Sequence, residues 1–156
     1  MKIIKTTNLT KDQKNTFLNI WHNEYPVNLK YNSFSDFENY LKKLNNSTHF
    51  ILFNEKNQIQ GWAYSFSRDK ERWFAILLDS KIQKSGYGTI LLNKLKNNDN
   101  KLNGWVIDHN NDLKKNDESY VSPLAFYLKN DFTCDSTVRL ETEQLSCVKI
   151  SWENKK

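Results

Sequence analysis

The sequence lacks long apolar runs and is poor in cysteine. No segment approaches the roughly 20 apolar residues that a membrane-spanning helix needs, and the apolar stretch at the start, residues 1–5, is too short for a signal peptide. We therefore expect a cytoplasmic protein without a membrane partner. The chain has 2 Cys, Cys134 and Cys147, on separate predicted strands, and in this setting they are expected to be free thiols.

Metal-binding patterns and concentrated charge are also missing. The 3 His and 2 Cys show no zinc spacing. The Asp108-x-Asn110-x-Asp112 pattern does not match a calcium-binding loop, which would have Gly in place of Leu113 and Glu in place of Ser119. The net charge is +5, but the lysines are scattered. Scattered lysines are typical of a solvated surface, although a mild positive field would also attract a polyanionic ligand.

Aromatic residues, in contrast, are abundant. They make up 13% of the 156 residues and include 5 Trp, which favours a packed core over disorder. The length fits one domain over residues 1–156. No internal repeat or linker interrupts it.

Apolar periodicity predicts an α/β (α+β) chain in the order β-α-α-β-β-β-α-β-α-β-β. One capping box at Thr10–Gln13 opens the first helix, a second at Ser35–Glu38 opens the next, and Ser122 with Pro123 opens the last. The continuously apolar residues 73–78 predict a central strand buried on both faces. The strands are predicted over residues 2–7, 48–53, 59–66, 73–78, 104–108, 133–141 and 144–152.

A glycine pair follows this central strand at once. Two of only 4 Gly, Gly86 and Gly88, lie in a Gln-x-x-Gly-x-Gly turn that opens a helix predicted over residues 88–97. Bare backbone at a helix N-terminus forms an anion site suited to a pyrophosphate. A Rossmann fingerprint and a P-loop are both excluded, because the third glycine and the Gly-Lys-(Ser/Thr) ending are missing.

At these residues the chain resembles the GCN5-related N-acetyltransferases, whose acyl-CoA segment is a strand leading into (Gln/Arg)-x-x-Gly-x-(Gly/Ala). A second match lies downstream at 124–132, where an Ala and a Tyr precede a Gly-Phe pair in the family and Asp131 replaces the Gly. The resemblance covers nearly the whole chain. It implies a mixed sheet of about seven strands flanked by about four helices, with strands splayed at the cofactor cleft.

The resemblance implies that acetyl-CoA is the co-substrate, and the missing metal-binding patterns lead us to expect no metal. The glycine turn would wrap the pyrophosphate with its backbone N–H groups, and the preceding strand would hold the pantetheine arm through its main chain. The implied cofactor residues are Ile76, Leu77, Leu78, Gln83, Lys84, Ser85, Gly86, Tyr87, Gly88 and Thr89.

Two catalytic roles follow from the same resemblance. The amide of Leu78 would donate to the thioester oxygen as negative charge develops there. Tyr127 matches the family tyrosine and would protonate the departing thiolate, since a phenol with a pKa of about 10 is protonated at neutral pH. Leu78 and Tyr127 are also consistent with an ordinary core role.

The residue that deprotonates the acceptor amine stays open. A strand Glu found in some relatives is Arg72 here, and Glu71 is one place out of register. Candidates for the acceptor side are Trp21, Tyr25, Asp108 and His109, with His22 nearby and a water relay as the alternative. The long polar loop at 109–121 either selects the substrate, acts as a lid, or is a solvent-exposed insertion. Tyr120 replaces an Asn of the family.

Three functions are compatible with the sequence. The first is an N-acetyltransferase that transfers an acetyl group from acetyl-CoA to a primary amine of a small molecule or protein, by direct attack in a ternary complex. The second is a catalytically inactive domain that kept the fold and CoA binding. The third, a basic nucleic-acid-binding protein, is the weakest because no recognition motif is present. A monomer or a homodimer fits the sequence equally well.

Overall fold

Seven strands form one mixed sheet in this computed structural model, which describes residues 1–155. The spatial order is β1-β2-β3-β4-β5-β7-β6, and only β4 and β5 pair in parallel. The strand content and the mixed pairing confirm the fold predicted from the sequence. The strands are β1 Lys2–Thr6, β2 Asn45–Phe53, β3 Ile59–Arg68, β4 Glu71–Leu78, β5 Lys101–Ile107, β6 Thr133–Glu141 and β7 Ser146–Glu153.

In the described residues, four α-helices cover the sheet: α1 Lys11–Glu24, α2 Phe34–Lys42, α3 Tyr87–Asn98 and α4 Leu124–Lys129. Short 3₁₀ turns lie at Val27–Leu29 and Ser80–Ile82. The helices α1 and α2 pack on one face of the sheet, and α3 and α4 pack on the other. Within residues 1–155 no helix has the length and apolarity to cross a membrane.

The predicted capping box of α1 is confirmed, and that of α2 is wrong. The Thr10 hydroxyl accepts from the Gln13 N–H, and the Gln13 side chain accepts from the Thr10 N–H. The N-cap of α2 is Ser33, whose Oγ accepts from the Asp36 N–H, so Ser35 lies inside the first turn. Its predicted partner, Glu38, instead forms ion pairs with two lysines, Lys14 and Lys42.

Two apolar clusters form the core, one on each face of the sheet. On the α1/α2 face, Phe17 stacks on Trp62 with ring centroids 4.3 Å apart. On the α3/α4 face, the α3 leucines pack with Phe74, Tyr127 and others. Cys147 is buried, Cys134 is partly buried, and both are free thiols, as predicted.

The two central strands β4 and β5 separate along their length. They share a single register pair, Trp73 with Asn103. Immediately beyond it, the Phe74 ring lies against Gly104, so closely that a Cβ there would be 2.9 Å from the Phe74 ring. Because β5 continues its pairing with β7, the backbone of β4 beyond Phe74 has no partner strand on that side in the described part of the chain. The strands are splayed here, as the sequence predicted.

Candidate active site

A cavity of about 900 Å³ occupies the gap between β4 and β5. A volume of this size is typical of small-molecule sites. The gap opens the cavity to both faces of the sheet, so side chains from α1, α4 and the 109–121 loop all reach it. Its lining includes Trp21, Tyr25, Tyr127, residues 73–78, and Gln83, Lys84, Gly86, Gly88 and Thr89 of the glycine turn.

The glycine turn presents a row of unused backbone donors to this cavity. Gly86 is the N-cap of α3 and has a φ of 88°, in the left-handed region that favours glycine. An added Cβ at Gly86 would meet nothing within 4 Å, so the space beside it is open. Among residues 1–155, none of the backbone N–H groups from Lys84 to Thr89 donates to a protein acceptor. Such a row at a helix N-terminus is an anion-binding arrangement.

Gln83, at the start of the turn, is used differently. Its N–H already donates to the Ser80 carbonyl at 3.4 Å. Its side-chain Nε2 donates to the Leu78 carbonyl at 3.0 Å. Gln83 therefore ties the turn to the end of β4, whereas the donors left for an anion begin at Lys84.

The edge of β4 that faces the gap is defined by its pairing with β3. The Asp79 N–H donates to the Gln60 carbonyl at 2.9 Å, and Leu78 lies opposite Gly61. Because bonded and non-bonded residue pairs alternate in an antiparallel ladder, Leu78 and Ile76 direct their N–H and C=O groups toward the gap. Leu77, between them, directs its own groups toward β3.

Tyr127 reaches the cavity from the α3/α4 face. Its side chain is only 6% exposed and packs edge-on against Phe74, with ring centroids 5.6 Å apart. Burial raises the pKa of the Tyr127 phenol above its ordinary value, so the hydroxyl is protonated throughout the physiological pH range. Within residues 1–155 this hydroxyl has no hydrogen-bond partner, which leaves it available to a ligand.

Aromatic side chains dominate the opposite, α1/α2 side of the cavity. The Trp21 and Tyr25 rings pack edge-to-face with centroids 4.6 Å apart, and the Tyr25 and Tyr120 ring centroids are 6.3 Å apart. The Tyr40 and Tyr64 hydroxyls hydrogen-bond each other at 2.7 Å. Burial raises the pKa of Tyr120 to about 12. Two of the residues expected on the acceptor side, Trp21 and Tyr25, are therefore in the cavity wall.

The 109–121 loop is folded rather than extended. Its residues 112–120 form a tight hairpin in which Lys114 and Glu118 pair through their backbones. The Val27 N–H donates to the Leu113 carbonyl at 2.8 Å and so joins this hairpin to the segment after α1. Residues 118–121 line the cavity. The loop is thus one wall of the site.

Sequence reasoning missed a buried ion pair that fixes this wall. The Lys114 ammonium lies 3.1 Å from the Glu24 carboxylate. The other oxygen of Glu24 accepts the Ser80 N–H at 2.8 Å. Both side chains line the cavity. A Glu in the last turn of an amphipathic helix gives no signal of burial, because its partner lies 90 residues away in a polar loop.

Asp108, His109 and His22 are absent from the cavity lining, among residues 1–155. Both oxygens of Asp108 accept from the Arg139 guanidinium, at 2.9 and 3.0 Å. The His109 Nδ1 accepts the Asn111 N–H, and the His22 Nε2 accepts the Tyr31 N–H. The residues expected from the end of β5 therefore serve loop and strand contacts. Within the described part of the chain, no cluster of three or more His, Cys, Asp or Glu could hold a metal ion.

Solved structures with the same fold cover almost the whole chain. An aminoglycoside 6'-N-acetyltransferase complexed with coenzyme A matches at a TM-score of 0.72 and 13% identity, over 98% of this chain and 97% of that one. A spermidine N-acetyltransferase from Vibrio cholerae, in complex with CoA and spermine, matches at a TM-score of 0.68 and 15% identity, over 99% of this chain and 96% of that one. A GNAT superfamily phosphinothricin acetyltransferase from Sinorhizobium meliloti, in complex with AcCoA, matches at a TM-score of 0.68 and 12% identity, over 99% of this chain and 89% of that one.

The chain therefore has the fold of the GCN5-related N-acetyltransferases, as the two sequence motifs predicted. At 12–15% identity the likeness is one of fold. No protein-family model matches the chain, and no curated protein matches it.

Proposed function

We propose that this protein is an acyl-CoA-dependent N-acyltransferase that acetylates a primary amine. One observation carries the proposal: the unused N–H groups at the start of α3 and the cleft-facing backbone of β4 open into the same cavity. An anion site joined to an unpaired strand edge suits a ligand with a pyrophosphate and an amide-containing arm. Acetyl-CoA has both parts. CoA or AcCoA is bound in solved structures of the same fold.

The glycine turn would hold the pyrophosphate. The backbone N–H groups from Lys84 to Thr89 have no acceptor within residues 1–155, the space beside Gly86 is open, and the Lys84 side chain adds a positive charge at the cavity wall. The N–H and C=O groups of Ile76 and the N–H group of Leu78 would pair with the pantetheine amides as an added strand does, whereas the Leu78 carbonyl already accepts the Gln83 side chain.

The acyl carbonyl would accept a hydrogen bond from an amide of β4. Ile76 and Leu78 are the residues that direct an N–H group into the gap. Tyr127 packs on Phe74, two residues from Ile76 and four from Leu78. Because the tyrosine must reach the sulfur next to the same carbonyl, the Ile76 amide is better placed than the Leu78 amide expected from sequence.

The reaction joins the amine nitrogen to the acyl carbon and breaks the carbon–sulfur bond, so that the amine loses one proton and the sulfur gains one. The Tyr127 hydroxyl would donate to the departing sulfur. We assign no side chain as the base: Glu24 is paired with Lys114, and Asp108 is paired with Arg139. Water in the cavity would relay the amine proton.

The proposal is tested by CoA binding and by release of CoA thiol. We expect acetyl-CoA to raise the melting temperature, and free thiol to accumulate when a panel of primary amines is added. Gly86→Glu should abolish CoA binding, since the added carboxylate would repel the pyrophosphate. Gly86→Asn is the control, because Asn tolerates the left-handed backbone without adding charge.

Each outcome identifies one of the three functions. CoA binding without thiol release, over a broad amine panel, would identify a non-catalytic CoA-binding domain. A protein that binds neither acetyl-CoA nor CoA would contradict the proposal, and nucleic-acid binding would then be tested. Equal CoA affinity in Gly86→Glu and the unaltered protein would remove the glycine turn from the site.

A further inference from the structure

On the α1/α2 side of the cavity, the carboxylate of Glu24 has a cationic partner, whereas the guanidinium of Arg68 has no carboxylate partner among residues 1–155. The Glu24 Oε1 lies 3.1 Å from the Lys114 ammonium, which balances its charge although no hydrogen bond reaches this oxygen within residues 1–155, and Oε2 accepts the Ser80 N–H. Arg68, at the end of β3, lines the same cavity, and no carboxylate within residues 1–155 lies within 4 Å of its guanidinium. The remaining carboxylate of the lining, Glu118, is exposed on the loop hairpin, and Arg68 is exposed as well, so water screens the charge of each.

Arg68 is held in place by aromatic rings. Its guanidinium carbon lies 4.4 Å from the centre of the Trp73 ring and 5.4 Å from that of Phe66. Stacking fixes the plane of a guanidinium and leaves its N–H edges free to bind a carboxylate or phosphate. The nearby ammonium of Lys149 is less available to an anionic ligand than Arg68 is, because it pairs with the Glu71 carboxylate.

Trp73 provides a second, independent indication. Its ring lines the cavity, and its indole N–H is buried without a hydrogen-bond acceptor among residues 1–155. Buried polar groups are almost always satisfied, so an orphan donor calls for a specific explanation. An oxygen atom of a ligand, bound at the edge of the ring on which Arg68 stacks, would provide the missing acceptor.

A small side chain, that of Ala75, lines the cavity between these aromatic side chains. Ala75 lies opposite Tyr64 and between Trp73 and Leu77 on the same face of β4. The cavity must also hold the end of the pantetheine arm, so the remaining space suits a compact body with apolar or aromatic faces. Several ammonium groups would be poorly compensated here, because desolvated cations require carboxylate partners.

We propose that the acceptor is a small amine that carries one anionic group, a carboxylate or phosphate, bound by Arg68, with an apolar or aromatic body against Tyr64, Phe66 and Trp73. This specificity rests on the proposed acyl transfer and narrows its substrate class. An anionic acceptor would differ from a polyamine such as spermine, which is bound in one solved structure of the same fold. The amine end of the acceptor points toward Ile76 and the acyl carbon.

Three amines with the same aromatic body test this specificity: benzylamine, 4-(aminomethyl)benzoate and 1,4-bis(aminomethyl)benzene. Binding is measured by calorimetry with the protein saturated with CoA and again without CoA. The carboxylate should increase affinity at least tenfold over benzylamine, as expected for a charge-assisted hydrogen bond. The second ammonium of the diamine should give no gain.

Variants at Arg68 assign the effect to one side chain. Arg68→Gln should remove the advantage of the carboxylate and leave benzylamine affinity unchanged, and Arg68→Glu should make the diamine the tightest of the three. Lys70→Asn is the matched control: it removes one charge from the exposed turn next to β3 without touching the cavity, and Asn tolerates the positive φ of Lys70. Its ranking should equal that of the unaltered protein.

The two proposals fail differently. If the ranking holds but no amine releases CoA thiol, acyl transfer is refuted and the anion-binding acceptor site stands. If thiol is released but benzylamine or the diamine binds as well as the carboxylate, acyl transfer stands and the specificity is refuted. An unchanged ranking in Arg68→Gln also overturns the role of Arg68.

Discussion

At the scale of single residues, burial and pairing decide which polar groups remain available for chemistry. Asp108 and Glu24 both carry carboxylates near the cleft, yet each is bound by a cation of the chain itself. Within residues 1–155 the Tyr127 hydroxyl has no such partner. Because burial raises its pKa, full transfer of its proton to a thiolate is uphill. Under the proposed acyl transfer, the hydroxyl would stabilise the sulfur by a hydrogen bond as the bond breaks, and the thiolate would take its proton from the water that relays the amine proton.

Tyr127→Phe should lower the maximal rate at least tenfold and leave the affinity for CoA within about twofold. The change removes one hydroxyl that has no protein partner, so the free energy of unfolding should hardly move. Thiol release and CoA titration measure the two quantities. Tyr31→Phe is the control, because Tyr31 is not among the cavity-lining residues. An unchanged rate in Tyr127→Phe would exclude the tyrosine from the reaction.

The sequence predicted part of this residue set. Trp21, Tyr25 and Tyr127 are in the cavity wall; Trp21 and Tyr25 lie near the end of the first predicted helix, and the family resemblance predicts Tyr127 at the site. Asp108 and His109 are not in the wall, since the direction of a side chain at a strand end depends on its partners. The partner of Asp108, Arg139, is 31 positions away on a different strand, and no local pattern links the two.

At the scale of elements, the hairpin at 112–120 depends on its attachment to α1. Backbone contact with Val27 and the Glu24–Lys114 pair are its links to that helix end. The ion pair is largely buried, with 8% of the Glu24 side chain and 14% of the Lys114 side chain exposed. Removing one member of such a pair leaves a buried charge, which costs more than removing both members.

Lys114→Met should therefore lower the free energy of unfolding by about 3 kcal/mol. The double variant Glu24→Gln with Lys114→Met should recover most of this loss, because Gln still accepts the Ser80 N–H and no charge remains. Urea unfolding measures both variants. Lys115→Met, at an exposed position of the same hairpin, should change little. Equal losses in the single and double variants would show that Glu24 is hydrated rather than buried.

Element types were predictable, whereas several first residues were not. β2 begins at Asn45 and β4 at Glu71, before the apolar residues that mark them in the sequence. These polar ends are extended because the neighbouring strand pairs with them, as Arg68 does with Glu71. Pairing is a property of two chain segments, so one segment's periodicity underestimates the strand.

At the scale of the whole molecule, the pH dependence of stability should reflect one buried histidine. His49 is 3% exposed on β2, and its Nδ1 accepts the Trp62 indole N–H at 3.0 Å. Burial lowers the pKa of His49 to about 4. In the unfolded chain its pKa is about 6.5, so between these values the unfolded chain binds the proton and the folded one does not.

The free energy of unfolding should therefore fall as the pH is lowered from about 6.5 to about 4, by about 3 kcal/mol from His49 alone. Above pH 6.5 this contribution is fully present. Urea unfolding over this pH range measures it. His49→Gln keeps an acceptor for Trp62 but does not titrate, so its curve should be flatter. Parallel curves for the two proteins would contradict a buried neutral His49.

The sequence by itself determined the order of strands and helices, the glycine turn and the tyrosine of the last helix. These follow from local periodicity, from the conformational freedom of glycine and from two motifs, all of which act within a few residues. The tertiary structure alone decided which backbone N–H groups face the gap, how the 109–121 loop closes the cavity, and that Arg68 rather than Asp108 is left unpaired. Each of these depends on pairing between segments far apart in the chain, which no local pattern records.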